Sequence, residues 1–114
     1  MTPIAEPDRT LHDLMLEIRA FAQARDWERF HTPKNLAMAI AGEAGELAAE
    51  YQWLTEAESI ATADPSDPRR AAIESEMADV LIYLVRLADV MGVDLVDAAS
   101  AKIAHNAERF RLER

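Results

Sequence analysis

The stretch Ile73-Glu74-Ser75-Glu76-Met77-Ala78-Asp79-Val80-Leu81-Ile82-Tyr83-Leu84-Val85-Arg86-Leu87-Ala88-Asp89-Val90-Met91-Gly92 decides the fold. Ile73, Met77, Val80, Leu81, Leu84, Leu87 and Met91 recur at steps of three and four, the period of a helix and not of a strand. Beyond Asp79 the segment is apolar almost all round, so this helix is expected to be the central one. Asp67 and Pro68 suit its N-cap and first turn, and Gly92 suits the C′ position. Its longest apolar run, Val80 to Val85, falls far short of the roughly 20 residues that a membrane span needs.

Outward from that helix the same period continues. Three glycines and five prolines punctuate 114 residues, and strand-like alternation is lacking, so the class is all-α: a four-helix-bundle-like arrangement in one domain over residues 1–114. A first helix is expected from about Thr10 to Asp26, with Leu11, Leu14, Ile18 and Phe21 as its inner stripe. Thr32 as N-cap and Pro33 behind it open a second helix that runs to about Trp53. Residues 55–67 read as a linker holding a short helical turn over Glu56 to Ala61. Asp94 caps a fourth helix, from Leu95 to about Phe110. Residues 1–9 carry two prolines and no apolar core, and are expected to be a flexible N-terminus, not a signal peptide.

Composition removes several function classes. With 21 acidic and 12 basic residues the formal charge is -9, and no basic run exists to bind a nucleic-acid polymer through its phosphates. A small anionic ligand stays feasible if a cation mediates. The lack of cysteine excludes disulfides, thiol nucleophiles and thiolate metal sites, and fits a cytoplasmic protein.

Carboxylates carry the chemistry. Glu43, Glu46 and Glu50 share one stripe of the second helix, roughly a quarter turn from the apolar stripe Leu36, Ile40, Leu47, Tyr51. Acids that serve only solubility sit opposite the core. Gly42 and Gly45 flank them, each costing about 1 kcal/mol against Ala inside a helix, which calls for a close approach or another need for small size. Glu76 and Asp79 repeat the pattern on the third helix, with Tyr83 and Arg86 extending the same face. Two such pairs on facing helices supply the oxygen donors that Mg²⁺ or Mn²⁺ prefers. The bland reading is a salt-bridged or interface acidic cluster. A di-iron bundle would need Glu-x-x-His pairs on two helices, and the chain offers only Glu28 with His31, beside the break at Pro33.

Around these acids, Trp27, His31, Asn35, Trp53 and Tyr83 are the aromatic or polar-tipped candidates for a ligand pocket, because a flat ring at a bundle mouth can stack a base. Plain packing is the commoner role of any one Trp. Lys102, Asn106 and Arg109 form a cationic and amide stripe on the last helix that can meet phosphate oxygens; the helix dipole alone explains Arg109 but not the other two.

From Leu11 to Phe110 the chain resembles the all-α nucleoside triphosphate pyrophosphohydrolases of the MazG-like superfamily, and more narrowly the dCTP pyrophosphatase branch. The resemblance lies in Arg25-Asp26-Trp27-Glu28-Arg29-Phe30-His31-Thr32-Pro33-Lys34-Asn35-Leu36, Gly42-Glu43-Ala44-Gly45-Glu46-Leu47, Gln52-Trp53, Glu76 to Tyr83 and Lys102-Ile103-Ala104-His105-Asn106. It implies that Glu43, Glu46, Glu76 and Asp79 hold Mg²⁺; Glu46 or Glu43, through a metal-bound water, is the expected proton acceptor. It further implies that Trp27, His31, Asn35, Trp53 and Tyr83 surround base and sugar, and that Lys102, Asn106 and Arg109 meet phosphates. Gly42 stands where the wider superfamily has a first Glu, which removes one candidate base. The resemblance implies a homodimer or homotetramer with shared sites. The expected activity is hydrolysis of a deoxynucleoside triphosphate, dCTP or a modified dCTP, to monophosphate and pyrophosphate, cleansing the nucleotide pool. The alternatives are a same-fold enzyme for damaged purine triphosphates or phosphoribosyl-ATP, and a non-catalytic helical interaction module.

Overall fold

The computed structural model describes residues 9–111, and the described chain contains helices and turns but no strand. In order these are α1 (Leu11–Ala24), a 3-10 turn (Glu28–Phe30), α2 (Pro33–Tyr51), α3 (Glu56–Ala61), α4 (Arg70–Met91) and α5 (Leu95–Arg109). The expectation of a flexible segment over residues 1–9 lies, up to residue 8, outside the described residues. Arg9 itself pairs with Glu17 at 2.9 Å. Among the described residues no helix is long and apolar enough to cross a membrane.

Local side chains set most helix boundaries. Thr10 and Asp13 close α1 with a reciprocal capping box. At its far end Asp26 adopts the left-handed conformation, φ 53°, which a short polar residue tolerates. The Trp27 amide then reaches back to the Ala22 carbonyl and the Asp26 amide to that of Gln23, so the helix stops and Trp27 turns away from its axis. Thr32 caps α2 through the Asn35 amide, with Pro33 at the first position, as its sequence predicts. Thr55 and Glu58 cap the short α3, and Asp94 caps α5. Gly92, at φ 68°, ends α4 with the expected left-handed cap.

One boundary departs from expectation. Asp67 does not cap α4, which begins at Arg70 behind Arg69. The Asp67 carboxylate is taken by the Arg69 amide at 2.9 Å and by its guanidinium at 2.9 and 3.0 Å, which folds the preceding loop into an Asx turn instead. These bonds, the side-chain ones foremost, hold the Asp67 carboxyl down to about 2.

α4 is central, as its composition implies: both α2 and α1 pack against it, α2 the more extensively. Glu43 meets Glu76 and Asp79 while His31 meets Arg86, so α2 and α4 run antiparallel. The buried apolar side chains are Ala22, Leu36, Ile73, Val85 and Ala88. Much of the expected core stripe is nevertheless exposed, including Phe21, Met77, Leu81, Leu84 and Met91. α5 buries none of its residues. The radius of gyration is 17.2 Å, against about 13 Å for a compact chain of this length. A single chain therefore supplies the central pair of a bundle and leaves its remaining apolar faces uncovered.

Candidate active site

Glu43 on α2 faces Glu76 and Asp79, one turn apart on α4, and each carboxylate offers an oxygen within 4.8 Å of the others. The pairing follows from the antiparallel register, which sets the middle of α2 against the first half of α4. All three are half-buried. Oε2 of Glu76 is buried without a hydrogen-bond partner. Burial, reinforced by the charges of Glu43, Asp79, Glu46 and Glu50, pushes the Glu76 carboxyl above its usual range.

Three converging acids with an orphaned oxygen are costly by themselves. A hard divalent cation offsets both costs, since it supplies positive charge and accepts carboxylate oxygens. The donor set is oxygen only, so these residues fit Mg²⁺ or Mn²⁺ and give no foothold to a metal that prefers sulfur or imidazole. Glu46 is exposed and lies outside the trio, although Glu76 senses its charge. Among the described residues no neighbouring element comes within 4 Å of where a Cβ would stand on Gly42 or Gly45, so the close approach these glycines suggested is not made within one chain.

The other candidates fall into separate groups. Trp27 stands edge-on to Phe21 at 5.6 Å and to His31 at 6.4 Å between ring centroids. Arg25 lies 3.5 Å over the Phe21 ring. Asn35 is exposed and donates to the Phe30 carbonyl at 3.0 Å, which fixes the turn that carries His31. Tyr83, half-buried, sits one turn beyond Asp79 on the side leading to His31. Trp53 is 86% exposed at the opposite end of α2. That helix has 19 residues, about 28 Å at 1.5 Å per residue, so one base cannot touch both Trp27 and Trp53 of the same chain. On α5, Lys102 and Arg109 are exposed and Asn106 half-buried, with the Arg109 guanidinium 4.9 Å over Phe110.

Sequence reasoning missed two polar residues that border this arrangement, Arg19 and Asp89. Asp89 is tied to Arg86, which the sequence placed on the acidic face and which is 5% exposed, and Arg19 is tied to Asp89. The three-residue step from Arg86 to Asp89 was a visible sign of an ion pair; nothing in sequence spacing linked either to Arg19.

Residues 31–111 match the MazG nucleotide pyrophosphohydrolase domain. The chain belongs to that family. The match begins at His31 and takes in all three carboxylates. Further support for the MazG assignment comes from dCTP pyrophosphatase 1 of Homo sapiens, 45% identical over 104 residues, 91% of this chain and 61% of that protein. The dCTP pyrophosphatase 1 of Rattus norvegicus is 46% identical over 105 residues, with the same shares covered. The chain thus spans about three fifths of the length of the curated relatives it matches. A crystal structure of a pyrophosphatase from Archaeoglobus fulgidus superposes with a TM-score of 0.82 at 32% identity, covering 96% of this chain and 100% of that one. The all-α MazG fold is therefore established for this chain.

Proposed function

We propose that this MazG chain hydrolyses dCTP, or a base-modified dCTP, to the monophosphate and pyrophosphate with Mg²⁺, Mn²⁺ serving in its place. The observation that carries the reading is the carboxylate trio of Glu43, Glu76 and Asp79 with its unpartnered buried oxygen. The names of the relatives point to the substrate. A triphosphate brought to an acidic protein needs a cation, and the trio is where the chain can hold one.

When bound, the cation neutralises phosphate charge and makes water more acidic. Glu43, Glu76 and Asp79 hold it and are thereby occupied. Glu46, one turn from Glu43 and outside the trio, is left to accept the proton as water attacks the α-phosphorus and the bond to the bridging oxygen breaks, releasing pyrophosphate. Tyr83 lines the path from the trio towards Trp27, His31 and Asn35, where the nucleoside is held. Lys102, Asn106 and Arg109 contact phosphate oxygens.

The reading includes assembly into a homodimer or homotetramer in the cytoplasm, each chain supplying one carboxylate trio to sites that are shared between chains. The exposed apolar faces of α4 and α5 and the extended shape of the chain support it. So does the separation of Trp53 from Trp27, since a neighbouring chain can bring its Trp53 to a site that its own trio does not serve. Light scattering should return two or four times the chain mass; a monomer at micromolar concentration contradicts shared sites.

The function is tested by incubating the protein with each dNTP, a damaged purine triphosphate and phosphoribosyl-ATP, with Mg²⁺ and with excess chelator. The expected result is dCMP and pyrophosphate from dCTP, abolished by the chelator. Orthophosphate as the first product, or turnover of none of these nucleotides, contradicts it.

A further inference from the structure

Four side chains form one hydrogen-bonded line across α1, α4 and the connector before α2. Arg19 donates from Nε to Oδ2 of Asp89 at 3.0 Å and from Nη2 to Oδ1 at 2.6 Å. Arg86 donates from Nη1 to the same Oδ2 at 3.0 Å. Its Nε donates to Nδ1 of His31 at 3.0 Å. A guanidinium as buried as that of Arg86 must be paired and hydrogen-bonded. Asp89 supplies the charge, and Arg19 grips Asp89 from the other side with two bonds whose fork fixes the carboxylate plane.

The chemistry of these groups sets the state of the imidazole. A guanidinium has donors only and does not give up its charge. Nδ1 of His31 must therefore be the acceptor, which leaves it without a proton and puts the ring's one N–H on Nε2. Protonating Nδ1 would break the bond and place a second cation against Arg86.

We propose that Arg86, held by Asp89 and Arg19, is a positioning residue for the nucleotide pocket: it locks His31 as a neutral imidazole that offers Nε2–H to an acceptor atom on the base or sugar. The proposal rests on the reading of His31 as a pocket residue, and Arg86 acts only through it. The groups that face His31 among the described residues are Arg86 from α4, Glu28 from the 3-10 turn and the Trp27 ring. Burial and then the Arg86 charge hold His31 below its ordinary value, with Glu28 pulling the other way. The Arg19 bonds, above all, keep Asp89 ionised. A His with a lowered pKa stays neutral around neutral pH, so the Arg86 bond that orients Nε2–H is retained there and is lost as pH falls through that lowered value.

Two-bond ¹H–¹⁵N correlation of ¹⁵N-histidine-labelled protein across pH 5 to 8 reads the tautomer without substrate, and KM for dCTP reads the consequence. Arg86→Leu strands Asp89 with Arg19 alone and risks the fold. Arg86→Leu/Asp89→Asn removes both buried charges, so it is measured beside the single variant. The expected result is the Nε2–H tautomer in the wild type, titrating below about 6.5. In the double variant the ring should show mixed tautomers and an ordinary titration, with KM raised about tenfold, the loss of one oriented bond, and kcat changed far less. An Nδ1–H tautomer in the wild type, or a double variant with wild-type imidazole signals, overturns the proposal. An altered imidazole with unchanged KM overturns the positioning role. The Nε2–H tautomer in a protein that turns over no nucleotide sustains the lock while sinking the function proposed above.

Discussion

Glu76→Gln is expected to lower kcat for dCTP by at least about 100- to 1,000-fold, the loss typical of removing a group that stabilises developing charge, while leaving the fold intact. The two halves of this expectation have one cause. Glu76 lies among like charges with a buried oxygen that nothing in the described chain satisfies, so it does not hold the metal-free structure together. Replacing it by a neutral amide of similar shape relieves repulsion, and the thermal midpoint in chelator should be at or above that of the wild type. Added Mg²⁺ should then raise the midpoint of the wild type through linkage and leave that of the variant unchanged. Asp79→Asn should behave alike. Retained turnover in both variants would remove the carboxylate trio from the mechanism.

Trp53→Ala should raise KM for dCTP roughly 5- to 150-fold, the equivalent of the ~1–3 kcal/mol that one base stacked on one aromatic ring contributes, with kcat little altered. At 86% exposure the ring has almost no packing to lose, so a fall in stability is not expected. Because Trp53 and the Trp27 end of α2 cannot meet one base in the same chain, the account makes a sharper demand. Inactive Glu76→Gln chains carry an intact Trp53, and Trp53→Ala chains carry an intact trio. Mixed and allowed to exchange subunits, the two should recover activity at low dCTP beyond the sum of the separate preparations. A mixture that is merely additive would mean that Trp53 serves its own chain or no site at all.

The fold was legible because its signals are local. The three- and four-residue recurrence through Ile73 and Met91, the Thr32-Pro33 start and the Gly92 stop each act within one helical turn, and the structure keeps them. Asp67 misled because its carboxylate had two competing partners, and Arg69 lies only two residues away. The acidic trio was legible for a related reason: Glu76 and Asp79 share a turn, and an acid beside an apolar stripe is out of place on a solvated face. What spacing could not convey was the facing of helices. The register that admits Glu43 and leaves Glu46 outside is a tertiary fact, as is the bond from Arg19 to Asp89 across 70 residues. The distance between Trp27 and Trp53 became visible only with the length of α2 laid out. Met77, Leu81 and Met91 were expected in a core, and their exposure shows where a sequence encodes contacts that one chain does not make.

The central claim is that Glu43, Glu76 and Asp79 together hold a divalent cation that takes the substrate's phosphates. Anomalous diffraction from crystals grown with Mn²⁺ and a non-hydrolysable dCTP analogue tests it most directly. The account predicts a manganese peak bonded to oxygens of all three carboxylates, with the triphosphate completing its shell and Glu46 free of the metal or joined only through water. A bound analogue whose triphosphate lies away from these residues, with no anomalous density between them, would contradict it.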